Sequence, residues 1–153
     1  MTKGDLAYEK FLKGYNCSQA VASAFADELG MDEKTVVRLA GGFGGGMGRL
    51  REVCGTFSGI VMVMSMLYGY SEPDDNATKK ELYERIQDMA AQFKDDNGSI
   101  VCRELLGLQK AEGSPIPEAR TSEYYKKRPC SELCRYAADL LEQYIRDNPH
   151  ENC

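Results

Sequence analysis

Apolar positions recur at helical spacing along most of this chain. Tyr8, Phe11, Leu12 and Tyr15 lie three or four residues apart, predicting a first helix over about 5–13 that Gly14 breaks. Asn16 then reads as an N-cap, with Gln19 completing a capping box. Behind it, Cys17, Val21, Ala24, Phe25 and Leu29 share one face of a second helix, which Gly30 stops. Asp32 caps a short third helix whose apolar members are Val36, Val37, Leu39 and Ala40.

Residues 55–68 are apolar on every side. Ile60, Val61 and Val63 have strand propensity, so periodicity does not separate helix from strand here. The length of the run and the lack of a partner strand predict a buried central helix, ended by Gly69 and Pro73. Met62, Met64 and Met66 do not share a helical face and read as core filler. Asp75 or Asn76 opens a long amphipathic helix that turns Leu82, Ile86, Met89, Ala90 and Phe93 inward and stops at Asn97-Gly98. Ser99 can cap a short helix carrying Cys102, Leu105 and Leu106, closed by Gly107. From 108 to 127 the prolines and polar residues predict a long loop with one turn near Tyr124. Pro129 introduces the last helix, where Cys130, Leu133, Ala137, Leu140 and Tyr144 align before Asn148-Pro149. The expected fold is an all-α, single-domain bundle over 1–153. It has about five to seven helices, a glycine-rich turn before the central buried helix, and a frayed tail at 148–153.

Composition narrows the setting. At 153 residues, 42% hydrophobic and 28% charged, the chain can build its own core, and a net charge of -5 argues against general nucleic-acid binding. The N-terminus lacks an apolar leader segment, and the longest apolar run, Phe57 to Tyr68, is too short to span a bilayer. A cytoplasmic location is the default expectation.

Six cysteines change the picture. In a reducing compartment, clustered cysteines lean toward metal ligation or redox chemistry, although a lone free cysteine also serves as a small buried hydrophobe. Cys17, Cys54, Cys102 and Cys130 each fall at or within one turn of an expected helix start. Helix N-termini favour thiolate and lower a cysteine's pKa from about 8.5, in strong cases to roughly 3.5–7.5. Arg49 and Arg51 before Cys54, and Lys126, Lys127 and Arg128 before Cys130, would act the same way if they point inward. Four thiolates from four helices can hold zinc or an iron–sulfur cluster, and pairs of them can cycle between dithiol and disulfide. No Cys-x-x-Cys pair is present, which weakens a structural-zinc site most. Cys134 follows one turn after Cys130 on the same face and reads first as a packed core cysteine, with a resolving thiol or spare ligand as the alternative. Cys153 and the single histidine, His150, fall in the tail, so neither a His–Cys pair nor an imidazole-rich zinc site has support.

The run GGFGGGMG at 41–48 fits neither phosphate-loop pattern, having no following Gly-Lys-Ser/Thr and no preceding strand. Gly44, Gly45, Gly46 and Gly55 are instead candidates for a backbone nest whose N–H groups face the Cys54 thiolate, a cluster or a small anion. The rival reading is a close helix crossing that admits only glycine.

Asn16-Cys17-Ser18-Gln19-Ala20, the glycine turn followed by Cys54-Gly55-Thr56-Phe57-Ser58-Gly59, Cys102-Arg103-Glu104-Leu105-Leu106-Gly107, and Cys130 opening the last helix together resemble the redox-active family named for its pattern C_GCAxxG_C_C. Thr56 stands where alanine is usual, and Cys134 is extra. The resemblance implies a redox role carried by the four shared cysteines and settles neither reaction nor substrate. Three readings therefore stand. The first is a thiol oxidoreductase or electron-transfer protein using Cys17, Cys54, Cys102 and Cys130, with a redox protein or small thiol as partner. The second is a carrier of a thiophilic metal ion or iron–sulfur cluster on the same cysteines, without turnover. The third is a helical interaction module, such as a homodimer.

Overall fold

The structure is a computed structural model and describes residues 1–108 and 114–150. Nine right-handed α-helices form among the described residues: α1 Lys3–Leu12, α2 Cys17–Ser23, α3 Ala26–Leu29, α4 Glu33–Ala40, α5 Gly55–Tyr68, α6 Asn76–Asn97, α7 Cys102–Leu105, α8 Ser122–Lys127 and α9 Cys130–Asp147. There is no strand among these residues, only an isolated antiparallel bridge between Val53 and Val101. The fold is all-α, with a helix count above the expected five to seven.

Helix starts follow the capping residues. Thr2, Asn16, Asp32, Asp75 and Thr121 each accept a hydrogen bond from the backbone N–H three residues on, and at Thr2 and Asn16 a reciprocal bond closes a full capping box. Ser99 is a correction: the cap position of α7 is Val101. The Ser99 hydroxyl accepts from the Val101 N–H at 2.9 Å and donates to Glu104 at 2.7 Å, so it fixes the approach to the helix rather than its end.

The expected second helix is two. The Ser23 hydroxyl donates to the Gln19 carbonyl at 2.6 Å, a bond back to the preceding turn that bends helices. Phe25 leaves helical geometry at φ -106°, ψ 15°, and its ring is fully buried. Burying that ring outweighs continuing the hydrogen-bond ladder. The expected turn near Tyr124 is α8, and part of the loop expected over 108–127, residues 109–113, lies outside the described residues.

α5 sits at the centre. It packs on α2, α9 and α6, while α1 lies along α9 and α4 closes over α2. Its buried members include Phe57, Ile60, Val63, Met64 and Leu67, against Val21 from α2, Phe25 between α2 and α3, Phe93 from α6 and Leu141 from α9. Two expectations fail at the rim: Met66 and Leu39 are half-exposed, because the bundle leaves a side of α5 and of α4 to solvent. At the C-terminus the Tyr68 hydroxyl donates to the Asn148 carbonyl at 2.7 Å and its ring meets His150 edge-on, while 151–153 lie outside the described residues. No helix among the described residues is long and apolar enough to cross a membrane.

Candidate functional site

Three cysteines open helices at the first residue, Cys17 in α2, Cys102 in α7 and Cys130 in α9, and Cys54 is the N-cap of α5. These helix starts meet at one end of the bundle. There Cys17, Cys54, Cys102 and Cys130 all line a single cavity of about 70 Å³, together with Gly45, Arg51, Gly55, Thr56, Arg120 and Tyr124. All five cysteines of the described residues carry free thiols. Cys134 is fully buried and does not line that cavity; its thiol points to the Cys17 carbonyl at 4.0 Å.

Local sequence explains the convergence. Around Cys17, Asn16 and its neighbours clamp the end of α4. Asn16 Nδ2 donates to the Gly41 carbonyl at 2.9 Å, Ser18 Oγ to the Ala40 carbonyl at 2.8 Å, and Gln19 Nε2 to the Val37 carbonyl at 3.1 Å. Carbonyls that the end of a helix leaves without partners are thereby satisfied. Cys54 and Cys102 are brought together by the Val53–Val101 bridge, with the Cys54 N–H on the Ile100 carbonyl at 2.7 Å and the Cys102 N–H on the Glu52 carbonyl at 2.5 Å. In such a pair, residues one step either side of a bridged position lie diagonally on a common face.

The glycine turn is a left-handed helical turn. Gly45, Gly46, Met47, Gly48 and Arg49 have φ between 58° and 73°, and Arg51 follows at 61°. Left-handed backbone costs a non-glycine residue roughly 1–2 kcal/mol, so Met47, Arg49 and Arg51 are held there by their surroundings. The turn must be tight because of what it touches. A Cβ on Gly46 would fall 2.7 Å from Cys102 Cβ and 2.6 Å from the Glu52 nitrogen, and one on Gly44 would fall 2.4 Å from the Asn16 amide. On the far side, a Cβ on Gly55 would fall 2.3 Å from Cys17 Sγ. These contacts favour the close-approach reading at Gly44, Gly46 and Gly55, and the Gly45 N–H lowers the Cys17 pKa against burial.

Burial opposes the expected thiolate character at Cys17, Cys54 and Cys130. Burial pushes Cys54 up from an ordinary 9.0 to about 12, and the neighbouring Cys17 and Cys102 sulfurs push the same way against hydrogen bonding from Thr56. Burial likewise raises Cys130 to about 12, with Cys17 the next cause and Arg128 opposing weakly. Cys17 is raised by burial and the Cys102 sulfur, opposed by the Gly45 N–H. Cys134 is raised well above its ordinary value, again by burial. Removing a charge from water outweighs a helix end that lies within the same low-dielectric cavity.

Of the basic residues expected to face inward, Arg128 is largely buried and weakly opposes the rise at Cys130, and Arg51 faces a thiol directly. Its side chain is buried and Nη1 donates to Cys102 Sγ at 3.7 Å. Arg49, largely buried, turns away from the thiols to the Ser114 carbonyl at 2.9 Å, Lys126 lies at the exposed surface, and the exposed Lys127 pairs with Glu123. Thr56 Oγ1 lies 3.1 Å from Cys54 Sγ and is fully buried, so the residue that departs from the family's alanine touches a thiol directly. Sequence reasoning missed Arg120. Its guanidinium donates to the Phe11 carbonyl at 2.8 Å and the Tyr15 carbonyl at 3.1 Å, and lies 4.1 Å over the Phe11 ring at the cavity wall. Nothing around Arg120 in the sequence marks it, because its partners are backbone atoms more than a hundred residues away.

The metal reading was tested on the donor set. Among the described residues, no group of three or more His, Cys, Asp or Glu side chains stands in metal-ligating geometry. Shared lining of a cavity is not a tetrahedral sulfur quartet. In this arrangement the cysteines do not fit a bound metal or cluster.

Residues 15–144 match the family described as "Putative redox-active protein (C_GCAxxG_C_C)". The chain belongs to that family. Membership supports a general redox role. No curated protein and no solved structure matches the chain.

Proposed function

We propose that this member of the family is a thiol–disulfide exchange protein whose working pair is Cys17 and Cys102. The observation that carries the reading is the shared cavity: four thiols distant in sequence line one space, and one of them receives a guanidinium N–H. Arg51 beside Cys102 stabilises the negative charge that sulfur carries as it attacks. Cys17 is the fitting second sulfur. It lines the same cavity as Cys102, the two sulfurs act on one another electrostatically, and the Gly45 N–H favours its thiolate.

In the reductive direction the Cys102 thiol loses its proton to solvent and attacks a disulfide, RS–SR. One RS⁻ leaves and takes up a proton, and a Cys102–SR mixed disulfide remains. The deprotonated Cys17 sulfur attacks Cys102 Sγ and expels the second RS⁻. Two protein thiols become one disulfide and RS–SR becomes two RSH, a balanced two-electron exchange that runs backward to re-reduce the protein. Cys54 and Cys130 share the cavity and can take over the disulfide by the same exchange. A reducing compartment such as the cytoplasm suits free thiols of this kind.

Equilibration with dithiothreitol redox buffers tests the reading. A two-electron transition that disappears in Cys17→Ser and in Cys102→Ser but persists in Cys134→Ser is expected. A transition indifferent to Cys17 and Cys102 overturns it.

A further inference from the structure

Beside the thiol cavity lies a second, larger space of about 400 Å³. Among the described residues, Cys130 is the one cysteine that lines both. It is also half-buried, whereas Cys17, Cys54, Cys102 and Cys134 are buried. Three of the four cavity thiols are thus shut off from the larger space, and the fourth stands in the passage between the two. That passage has a fixed side, because Arg120 and Tyr124 also line both spaces. The Arg120 guanidinium is held by the Phe11 and Tyr15 carbonyls and lies 4.1 Å over the Phe11 ring and 5.2 Å over that of Tyr124. On the inner side, α9 passes close to Cys17. Cys134, one turn after Cys130, points its thiol at the Cys17 carbonyl at 4.0 Å. After burial, the Cys17 sulfur is the largest influence on the Cys130 pKa.

We propose that Cys130 is the port at which a small-molecule thiol, entering by the larger space, re-reduces the Cys17–Cys102 disulfide. This rests on the thiol-exchange reading above and gives it an outlet. The Cys130 thiol loses its proton to solvent and attacks Cys17 Sγ, forming a Cys17–Cys130 disulfide. The Cys102 thiolate leaves beside Arg51 and takes up a proton. An external RSH loses its proton, attacks Cys130 Sγ and expels Cys17, which is protonated in turn. A Cys130–SR mixed disulfide remains. A second RS⁻ attacks the RS sulfur, RS–SR departs, and Cys130 regains its thiol. One protein disulfide and two RSH become two protein thiols and RS–SR. Access to the attacked sulfur governs such exchange. A recess of this volume suits a small ligand, whereas a protein partner spreads its contact over a broad surface.

The test uses the full chain, oxidised with diamide and then reduced by excess glutathione. Cys130→Ser should slow re-reduction by about tenfold or more, because access decides which sulfur is attacked, while Cys134→Ser keeps the unmutated rate. In dithiothreitol redox buffers the two-electron transition of Cys130→Ser should persist, since a port sets the rate of exchange and not the identity of the couple. In the unmutated protein, quenching with N-ethylmaleimide part-way through reduction, followed by mass mapping, should find the glutathionyl adduct on Cys130. A Cys130→Ser rate equal to the unmutated one, or an adduct confined to Cys17 or Cys102, overturns the port and leaves the exchange reading in place. Dependence on Cys130 seen with reduced thioredoxin and absent with glutathione overturns the small-thiol assignment. No transition in the unmutated protein overturns the exchange reading and the port together.

Discussion

The Cys17 sulfur rests against the Cα of Gly55, where a Cβ would lie only 2.3 Å away. The first residue of α2 and the first residue of α5 therefore share one contact, and the glycine after Cys54 is a packing requirement for a thiol elsewhere in the chain. Gly55→Ala is expected to move Cys17 out of the cavity. Overpacking of this kind costs roughly 1–3 kcal/mol, so the urea midpoint should fall and the pattern of oxidised cysteines should change. Retention of both would show that the sulfur has room to yield.

The left-handed turn makes a second prediction. Gly46→Ala combines a φ of 73° with a Cβ 2.6 Å from the Glu52 nitrogen and 2.7 Å from Cys102 Cβ. It should destabilise by several kcal/mol, beyond the roughly 1–2 kcal/mol of left-handed strain alone, because the clash includes backbone. Chemical denaturation of the reduced protein measures it.

Stability should fall at alkaline pH. Cys54 and Cys130 are raised from 9.0 to about 12, so below pH 9 both the folded and the unfolded chain hold these protons and the slope is flat. Between about 9 and 12 the unfolded chain loses them first, and stability drops as pH rises. Each group displaced that far contributes an upper limit of roughly 4 kcal/mol. Urea titrations of the reduced protein at pH 7, 9 and 11 should show no loss between the first two and a large loss by the third.

Arg51→Gln should slow attack by Cys102. The guanidinium contact at 3.7 Å is charge-assisted, and loss of such a bond, on the order of 1.5 kcal/mol or more, corresponds to about a tenfold slower alkylation of Cys102 at pH 7. Thiol-specific labelling resolved by mass spectrometry reads this site by site. An unchanged rate would separate Arg51 from the chemistry.

Thr56→Val removes the hydroxyl 3.1 Å from Cys54 while keeping the shape. The Thr56 hydrogen bond lowers the Cys54 pKa against burial, so its loss should make Cys54 slower still toward iodoacetamide and cost about 1 kcal/mol of stability.

Much of the architecture was legible because caps and glycines are local signals. Asn16 and Asp75 marked their helix starts, and Gly30, Gly69 and Gly98 the ends of α3, α5 and α6. The break at Phe25 was not legible, since it depends on a ring entering a core built by other helices. For the site, four cysteines at helix starts could be read from boundaries, and their meeting in one cavity follows from how α2, α5, α7 and α9 converge. The upward shift that burial gives Cys17, Cys54 and Cys130 could not be read, because helix-end placement is visible in sequence and desolvation is not. The ion pairs of Glu118 with Arg49, Arg51 and Arg128 were invisible for a related reason: the residues lie 10 to 69 positions apart and meet only through the fold.

The account stands on Cys17 and Cys102 forming one redox couple. Stoichiometric oxidation of the reduced protein with diamide, followed by blocking of the remaining thiols, proteolysis and mass mapping, tests it directly. The predicted product is an intramolecular Cys17–Cys102 disulfide, with Cys134 recovered as a blocked thiol. Recovery of Cys17 and Cys102 both as blocked thiols, with any disulfide lying between other cysteines or between chains, would contradict it.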